Sequence, residues 1–361
     1  MSIAATETNF RRGLRRLWIS CLAGANAATV ILLWAVCLTV YLEPSVHPRL
    51  AQAGLLFPVL LVINLGFMVM WLVTSWRWVV ISVVGMAVCL SPILDYWSIN
   101  FPSHAPDNAK LVMSYNIHYF DVDSAECLDG NRTIGFICES NADIICLQEY
   151  AEHSSMGELL NSKLDSLGYK RRCLNNLMIA SRLPFVGEEA LTLCDNGNGG
   201  MACRVSDGSD TLMVSNGHLR SNLISTEEKR NYSQALEDKD EHLLKSSGRI
   251  VLSRLMVAAA KRQEQTDSVC RFVEKIKGER ILLCGDMNDT PVSYTYHRFS
   301  TLLKNTWRES GWGAGISFNR EGFPVHIDHI FVSEDIASFE ARVDRTAKSS
   351  DHYPILVRIQ L

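Results

Sequence analysis

Six apolar runs in the later part of this 361-residue chain end in side chains that handle metal ions, phosphates or protons. Leu111-Val112-Met113-Ser114-Tyr115 leads to Asn116, Asp143-Ile144-Ile145-Cys146-Leu147 to Gln148 and Glu149, and Thr211-Leu212-Met213-Val214 to Ser215, Asn216 and His218. Ile281-Leu282-Leu283-Cys284-Gly285 leads to Asp286 and Asn288, Val325-His326-Ile327 to Asp328 and His329, and Ser349-Ser350 precedes Asp351 and His352. Loops leaving strand ends build sites in α/β sheets, so such residues can converge although they are far apart in sequence.

The combination suits phosphate-ester chemistry. A phosphoester resists attack because its oxygens are negative, so a catalyst must neutralise charge, prepare a water and support the leaving oxygen. Carboxylates with an amide make a hard-oxygen site for magnesium, which keeps waters and contacts phosphate directly. Histidines bind the phosphate or move protons, with a carboxylate fixing the tautomer.

In this order, Tyr115-Asn116-Ile117, Leu147-Gln148-Glu149, Asn216-Gly217-His218-Leu219, Gly285-Asp286-Met287-Asn288-Asp289, Ile327-Asp328-His329-Ile330 and Ser350-Asp351-His352-Tyr353-Pro354 resemble the endonuclease/exonuclease/phosphatase superfamily, in its deoxyribonuclease I-like form. The resemblance covers about Lys110 to Leu361. It implies a four-layer α/β sandwich of two packed mixed β-sheets flanked by helices, and hydrolysis supported by Mg2+, with Mn2+ a possible substitute. It also implies roles: Glu149 as principal metal ligand, with Asn116 beside it and Asp351 close to the metal. Asp286 would orient or deprotonate the attacking water, and Asn288 would donate to a phosphate oxygen. His352, held by Asp328, would contact the phosphate and transfer a proton, with His218 across the phosphate from it. The presence of His218 disfavours the apurinic endonuclease branch.

Bland readings compete with each role. Asp286, Asn288 and Asp289 could form a polar turn, since Asp and Asn favour turns. His118 and His329 read as local hydrogen-bonders, Arg182 as a solvated cation, and Trp307 and Trp312 as packing residues. Two departures from the family bear on substrate contacts: His329 stands where a Tyr is common, and Ile316-Ser317-Phe318 where a Thr commonly leads the strand.

Short Val- and Ile-rich runs alternating with longer helical stretches indicate a mixed α/β domain over residues 110–361. Apolar residues at three- and four-residue spacing predict helices over Thr133–Ser140, Ser155–Leu167 and Gly248–Lys277. The charged stretch from Asn222 to Ser247 reads as a solvated loop with some helix.

The N-terminal third is different. Leu17 to Leu42, Leu55 to Trp76 and Trp78 to Leu94 carry no Asp, Glu, Lys or Arg, and a helix needs roughly 20 apolar residues to cross a bilayer. The expectation is a cytoplasmic basic N-terminus (1–16), an all-α anchor of three transmembrane helices (17–97) and a linker (98–109). Arg11, Arg12, Arg15, Arg16 and Arg77 assign their side as cytoplasmic. Three crossings then put the catalytic domain outside, on the periplasmic or outer face. Eleven cysteines, with no zinc-type spacing, argue instead for a reducing compartment.

Residues 1–102 hold six Arg and three Asp or Glu, leaving 29 basic and 36 acidic side chains, a net of −7, for the remainder. That balance disfavours a strong non-specific polyanion binder. The leading reading is a membrane-anchored, divalent-metal-dependent phosphoesterase that uses metal-assisted attack of water on a phosphodiester or phosphomonoester. Its partners would be the bilayer and a phosphate-ester substrate: a lipid head group, a small molecule or a nucleic acid. No protein partner is inferable. The alternatives are a membrane-tethered nuclease acting on DNA or RNA and a catalytically silent binding module.

Overall fold

In the computed structural model, which describes residues 2–101, 103–123, 132–194, 199–222, 241–320 and 323–361, the strands are set by alternating side chains. In chain order they are β1 (Ser98–Ile99), β2 (Lys110–Asn116), β3 (Ile144–Gln148), β4 (Lys170–Leu174), β5 (Leu177–Ser181), β6 (Phe185–Cys194), β7 (Gly200–Ser206) and β8 (Thr211–His218). They continue as β9 (Arg280–Asp286), β10 (Lys304–Asn305), β11 (Trp312–Gly313), β12 (Phe318–Arg320), β13 (Phe323–Val325), β14 (Asp328–Val332), β15 (Ala337–Val343) and β16 (Ile355–Gln360). Two six-stranded mixed sheets result, ordered β15-β16-β2-β3-β5-β4 and β10-β14-β9-β8-β7-β6.

Side-chain alternation along β2 shows how the layers form, because successive residues point to opposite faces. Val112 joins Ile144, Cys146, Val214, Leu282 and Cys284 in the core between the sheets. Leu111, Met113 and Tyr115 face the other way, onto Ile134, Ile137, Leu160 and Leu164 of the helices Arg132–Glu139 and Ser155–Ser166. On the outer face of the second sheet, Met213, Ile281 and Leu283 pack on Val269, Cys270 and Phe299. These belong to the helices Glu241–Lys275 and Tyr294–Ser300. Helix, sheet, sheet and helix layers make the four-layer sandwich that the resemblance implies.

The helix read from Gly248 extends through Glu241–Lys275. Most of the charged stretch ahead of it, residues 223–240, lies outside the described residues.

At the N-terminus, two helical stretches are long and apolar enough to cross a membrane, Phe10–Tyr41 and Pro48–Thr74. The third expected span is broken: Trp76–Val88 and Leu90–Tyr96 meet at 70°. Pro92 accounts for the break, since its ring clashes with the carbonyl four residues earlier and it donates no backbone hydrogen bond. The N-terminal stretch read as a separate basic tail is helical, within Ser2–Cys37. A buried amide fastens the bundle. Asn26 accepts from Trp71 Nε1 (3.0 Å) and Ser82 Oγ (3.0 Å) and donates to Asn64 Oδ1 (3.2 Å), joining all three helical segments.

The expected linker begins as part of the sandwich's edge. Ser98 and Ile99 pair with Gly313 and Trp312, and Asn100 donates to the carbonyls of Arg308 and Gly311 (2.9 Å each). Bundle and sandwich therefore pack directly. Arg308 reaches Asp95 at 2.6 Å, and a cavity of about 760 Å³ lies at this junction rather than at the strand-end carboxylates.

Candidate active site

Register aligns the strand ends. Asn116 and Gln148 are paired on parallel β2 and β3, which puts Glu149 just beyond the end of the first sheet. On the second sheet His218 pairs with Asp286, and Asp286 with Asp328, so three polar groups stand in a row. Glycine permits that row. Gly285 has φ +147°, and a Cβ there would lie 1.8 Å from the Gly217 carbonyl oxygen, so β8 and β9 approach closely one residue before His218 and Asp286.

Interior amides tie the two sheets together beneath the site. Gln148 Nε2 donates to Asn216 Oδ1 (2.7 Å), while Asn216 Nδ2 donates to the carbonyls of Leu147 (2.8 Å) and Met178 (2.9 Å). Asn216 is thus a strut between strand ends.

The polar cluster is tight. Asn116 Nδ2 lies 3.1 Å from Asp286 Oδ2 and 3.4 Å from Glu149 Oε1, so one amide bridges carboxylates of both sheets. His218 Nε2 is 3.7 Å from the same two oxygens. His352 Nε2 is 3.6 Å from Asp286 Oδ2, and its Nδ1 is 2.8 Å from Asp328 Oδ2. Hydroxyls set the approach: Ser317 Oγ accepts from the backbone N–H groups of Ile327 and Asp328. Ser350 Oγ donates to the Asn116 carbonyl and accepts from the His352 N–H.

Burial and neighbours set the charges. Burial raises the Asp286 pKa, Asp328 adds to it, and the result is about 7. For His352 burial works downward, but Asp328 and Asp286 outweigh it and lift the ring to about 10. His218 falls to about 4 because burial dominates over the attraction of Glu149. Glu149 is held below the usual carboxylate range: burial opposes this, and His118 and His218 overcome it. At neutral pH the site therefore pairs a cationic ring (His352) with a neutral one (His218).

Asp286, Asp328 and His352 lie close enough together to share a metal ion. The Nδ1 contact to Asp328 gives this trio the form of a carboxylate-oriented histidine facing a second carboxylate. The hard-oxygen donors are Glu149 and Asp286, and neither has a Lys or Arg ion-pair partner among the described residues. Two largely buried carboxylates that converge with histidines but no Lys or Arg beside them fit a divalent cation.

Of the residues singled out from the sequence, Asn116, Glu149, His218, Asp286, Asp328 and His352 meet here. Asp351 Oδ1 is 3.9 Å from His118 Nδ1, which is itself 3.1 Å from Glu149 Oε2. Asn288 adopts a left-handed φ of +51°. Its backbone N–H donates to Asp286 Oδ1 and its amide to the Leu219 carbonyl. His118, read as a local hydrogen-bonder, belongs to the cluster through Glu149; its position two residues past a strand-end Asn was the available signal. His329 does act locally, with Nε2 3.1 Å from the Asp289 carbonyl. Arg182 is elsewhere, bonded to Asn141 and lying over the Tyr169 ring.

Comparison with known proteins bears on the family of this chain. Residues 113–352 match the Endonuclease/Exonuclease/phosphatase family, whose members are hydrolases acting on phosphoester bonds. Residues 19–96 match a domain of unknown function. No curated protein sequence matches the chain. Similar solved structures include an endonuclease/exonuclease/phosphatase from Beutenbergia cavernae DSM 12333 (17% identity, 70% of this chain and 72% of that one, TM-score 0.48). A family protein from Bacteroides thetaiotaomicron is also similar (17%, 70% and 98%, 0.48). So is D. rerio TDP2 complexed with a single-stranded DNA product (13%, 71% and 100%, 0.49). With two thirds of its length matched, including every candidate site residue from Asn116 to His352, this chain belongs to the endonuclease/exonuclease/phosphatase family.

Proposed function

We propose that this chain is a membrane-anchored, divalent-metal-dependent phosphoesterase whose substrate is a lipid head group or another small phosphate ester. The observation that carries the reading is the meeting of Glu149, Asn116 and Asp286 with His218 and the His352–Asp328 pair at facing strand ends. Glu149, with Asn116 beside it and Asp351 nearby, would hold Mg2+ or Mn2+. When bound, such an ion neutralises phosphate charge and acidifies water.

The remaining steps belong to the chain. Asp286, with its pKa near 7, accepts the proton of the attacking water. His352, kept cationic by Asp328, donates a hydrogen bond from Nε2 to the phosphate and then a proton to the leaving oxygen. His218, neutral, contacts the phosphate without adding charge. The Asn288 amide, one N–H of which donates to the Leu219 carbonyl, would give its other N–H to a further phosphate oxygen.

Substrate preference rests on the net −7 of residues 103–361 and on the direct packing of the anchor. Both favour substrates at or near a bilayer over long polyanions. If the bent third segment crosses the membrane, the domain lies on the extracytoplasmic side.

The test uses the full-length chain in nanodiscs, with Mg2+, Mn2+ or chelator, against sphingomyelin, phosphoinositides, aryl phosphodiesters and supercoiled DNA. Metal-dependent hydrolysis lost in Glu149→Gln and His352→Ala is the expected result. Equal rates in wild type and both variants would sink the assigned site, and turnover of DNA alone would make the chain a tethered nuclease.

A further inference from the structure

The loop that leaves Asp286 and Asn288 continues into the N-terminal bundle. Val292 is 2% exposed and is part of the bundle's own apolar core, together with Leu33, Val36, Phe57 and Cys89. Its backbone is equally committed. A Cβ added to Gly54, in the short helical turn Gln52–Leu56, would lie 2.1 Å from the Val292 carbonyl oxygen. Only a residue without a side chain lets the two backbones meet there.

Contacts on either side brace the same loop. The Ser45 N–H donates to Gln263 Oε1 at 2.9 Å, and the adjacent Arg262 reaches Asp289 Oδ2 at 3.5 Å. Downstream, Tyr296 Oη donates to Asp95 Oδ1 at 3.2 Å, and the His297 ring meets the edge of Tyr41 at 4.6 Å. The turn that carries Asp286 and Asn288 is thus held by the sandwich at one end and by the bundle at the other.

We infer that the helical bundle is a positioning element for the Asp286–Asn288 turn as well as a tether, acting through Val292 and Gly54. The inference rests on the phosphoesterase reading. Packed interiors are dense and transmit displacement, whereas a loop held at one end opens at low free energy. Misplacing a reacting group by about 1 Å can cost on the order of a hundredfold in rate. A loose bundle contact should therefore appear in turnover and metal binding even with a substrate that never touches the membrane.

The experiment compares full-length wild type, Gly54→Val, Val292→Ala, Val292→Ile and Val30→Ala in nanodiscs. Val30 is 5% exposed and packs against Gly85 inside the bundle, so its truncation loosens the anchor away from the loop. The readouts are kcat and KM for a water-soluble aryl phosphodiester, the half-saturating Mg2+ concentration, Mn2+ affinity by electron paramagnetic resonance, and the melting curve.

Gly54→Val and Val292→Ala should lose on the order of tenfold or more in kcat with KM little changed and metal affinity weakened. Val292→Ile and Val30→Ala should retain kcat and metal affinity. Should Gly54→Val fail to fold, Val292→Ala carries the test, because it only shortens a side chain. Wild-type kcat and metal affinity in a folded Val292→Ala, or an equal loss in Val30→Ala, would overturn the inference. If the wild type binds Mn2+ but hydrolyses nothing, the functional reading fails separately, and the Mn2+ affinities still decide whether the bundle positions the turn.

Discussion

Neutralising Asp328 tests the charge logic of the site. Asp328 is buried, its Oδ2 lies 2.8 Å from His352 Nδ1, and its Oδ1 has no hydrogen-bond partner among the described residues. His352 is lifted from 6.5 to about 10, which at 1.36 kcal/mol per unit is about 5 kcal/mol in favour of the protonated ring. Asp328 is the largest of the attractions, ahead of Asp286 and Asp351. Asp328→Asn should then remove more than half of that, about 3 kcal/mol or about two units of the ring's pKa, which costs little at pH 7 and up to roughly a hundredfold in kcat/KM near pH 10. The new amide can also turn its N–H toward Nδ1, which pairs only with a neutral ring, and the misoriented ring deepens the loss toward the roughly 10⁴-fold of an Asp-to-Asn change in a Ser-His-Asp triad. The sign of the pH effect is fixed. His352 acts while protonated, so its alkaline limb in wild type lies near pH 10 and should move down by about two pH units in the variant. Stopped assays of the full-length chain with magnesium and an aryl phosphodiester across this range give both numbers. A variant within threefold of wild type, with an unmoved alkaline limb, would refute the assignment of His352 as a carboxylate-sustained acid.

Other outcomes follow from the same geometry. Glu149→Gln should leave the fold intact but abolish the calorimetric Mg2+ binding signal and at least about 10²-fold of activity, and chelator should silence wild type reversibly. Gly285→Ala places a Cβ 1.8 Å from the Gly217 carbonyl at φ +147°, so a destabilisation of about 3 kcal/mol or more is expected in denaturant melts. His326 and His329 are buried and held neutral, with His329 lowered to about 4. Their folded-state values lie below the unfolded 6.5, so stability is present above that pH and is lost as pH falls toward 4. His326→Leu should make that acid loss shallower. A reporter fused at Leu361 should be active only outside the cytoplasm if the bent third segment completes a crossing.

Much of the sandwich was legible because its signals are local. Alternation along β2, β3, β8 and β9 gives both faces of each strand, and the strand-end side chains follow directly from where each run stops. The convergence of Glu149 with Asp286 was not local. It depends on how the two sheets face one another, tied by Gln148 to Asn216 and bridged by the Asn116 amide, and only the family resemblance suggested it in advance. His118 was underrated for a related reason. A lone histidine after a strand usually satisfies a nearby carbonyl, and its contact with Glu149 requires the left-handed turn at His118, Tyr119 and Phe120, which no residue type there announces.

The N-terminal bundle shows the opposite failure, in which composition was clear and geometry hidden. Absence of charge says that Trp78 to Leu94 is apolar, but Pro92 makes it two helices at 70°. The consequence reaches the site. The bend carries Cys89 and Ile93 into the cluster that receives Val292, and Asp95 comes within reach of Arg308 and Tyr296. Val292 itself, one apolar residue after Pro291 in an otherwise polar turn, carries no periodicity by which a sequence could assign it a partner. Its burial is shared between the first two helical segments, through Leu33, Val36 and Phe57, and the bent third, through Cys89, so the whole bundle grips the turn of Asp286 and Asn288.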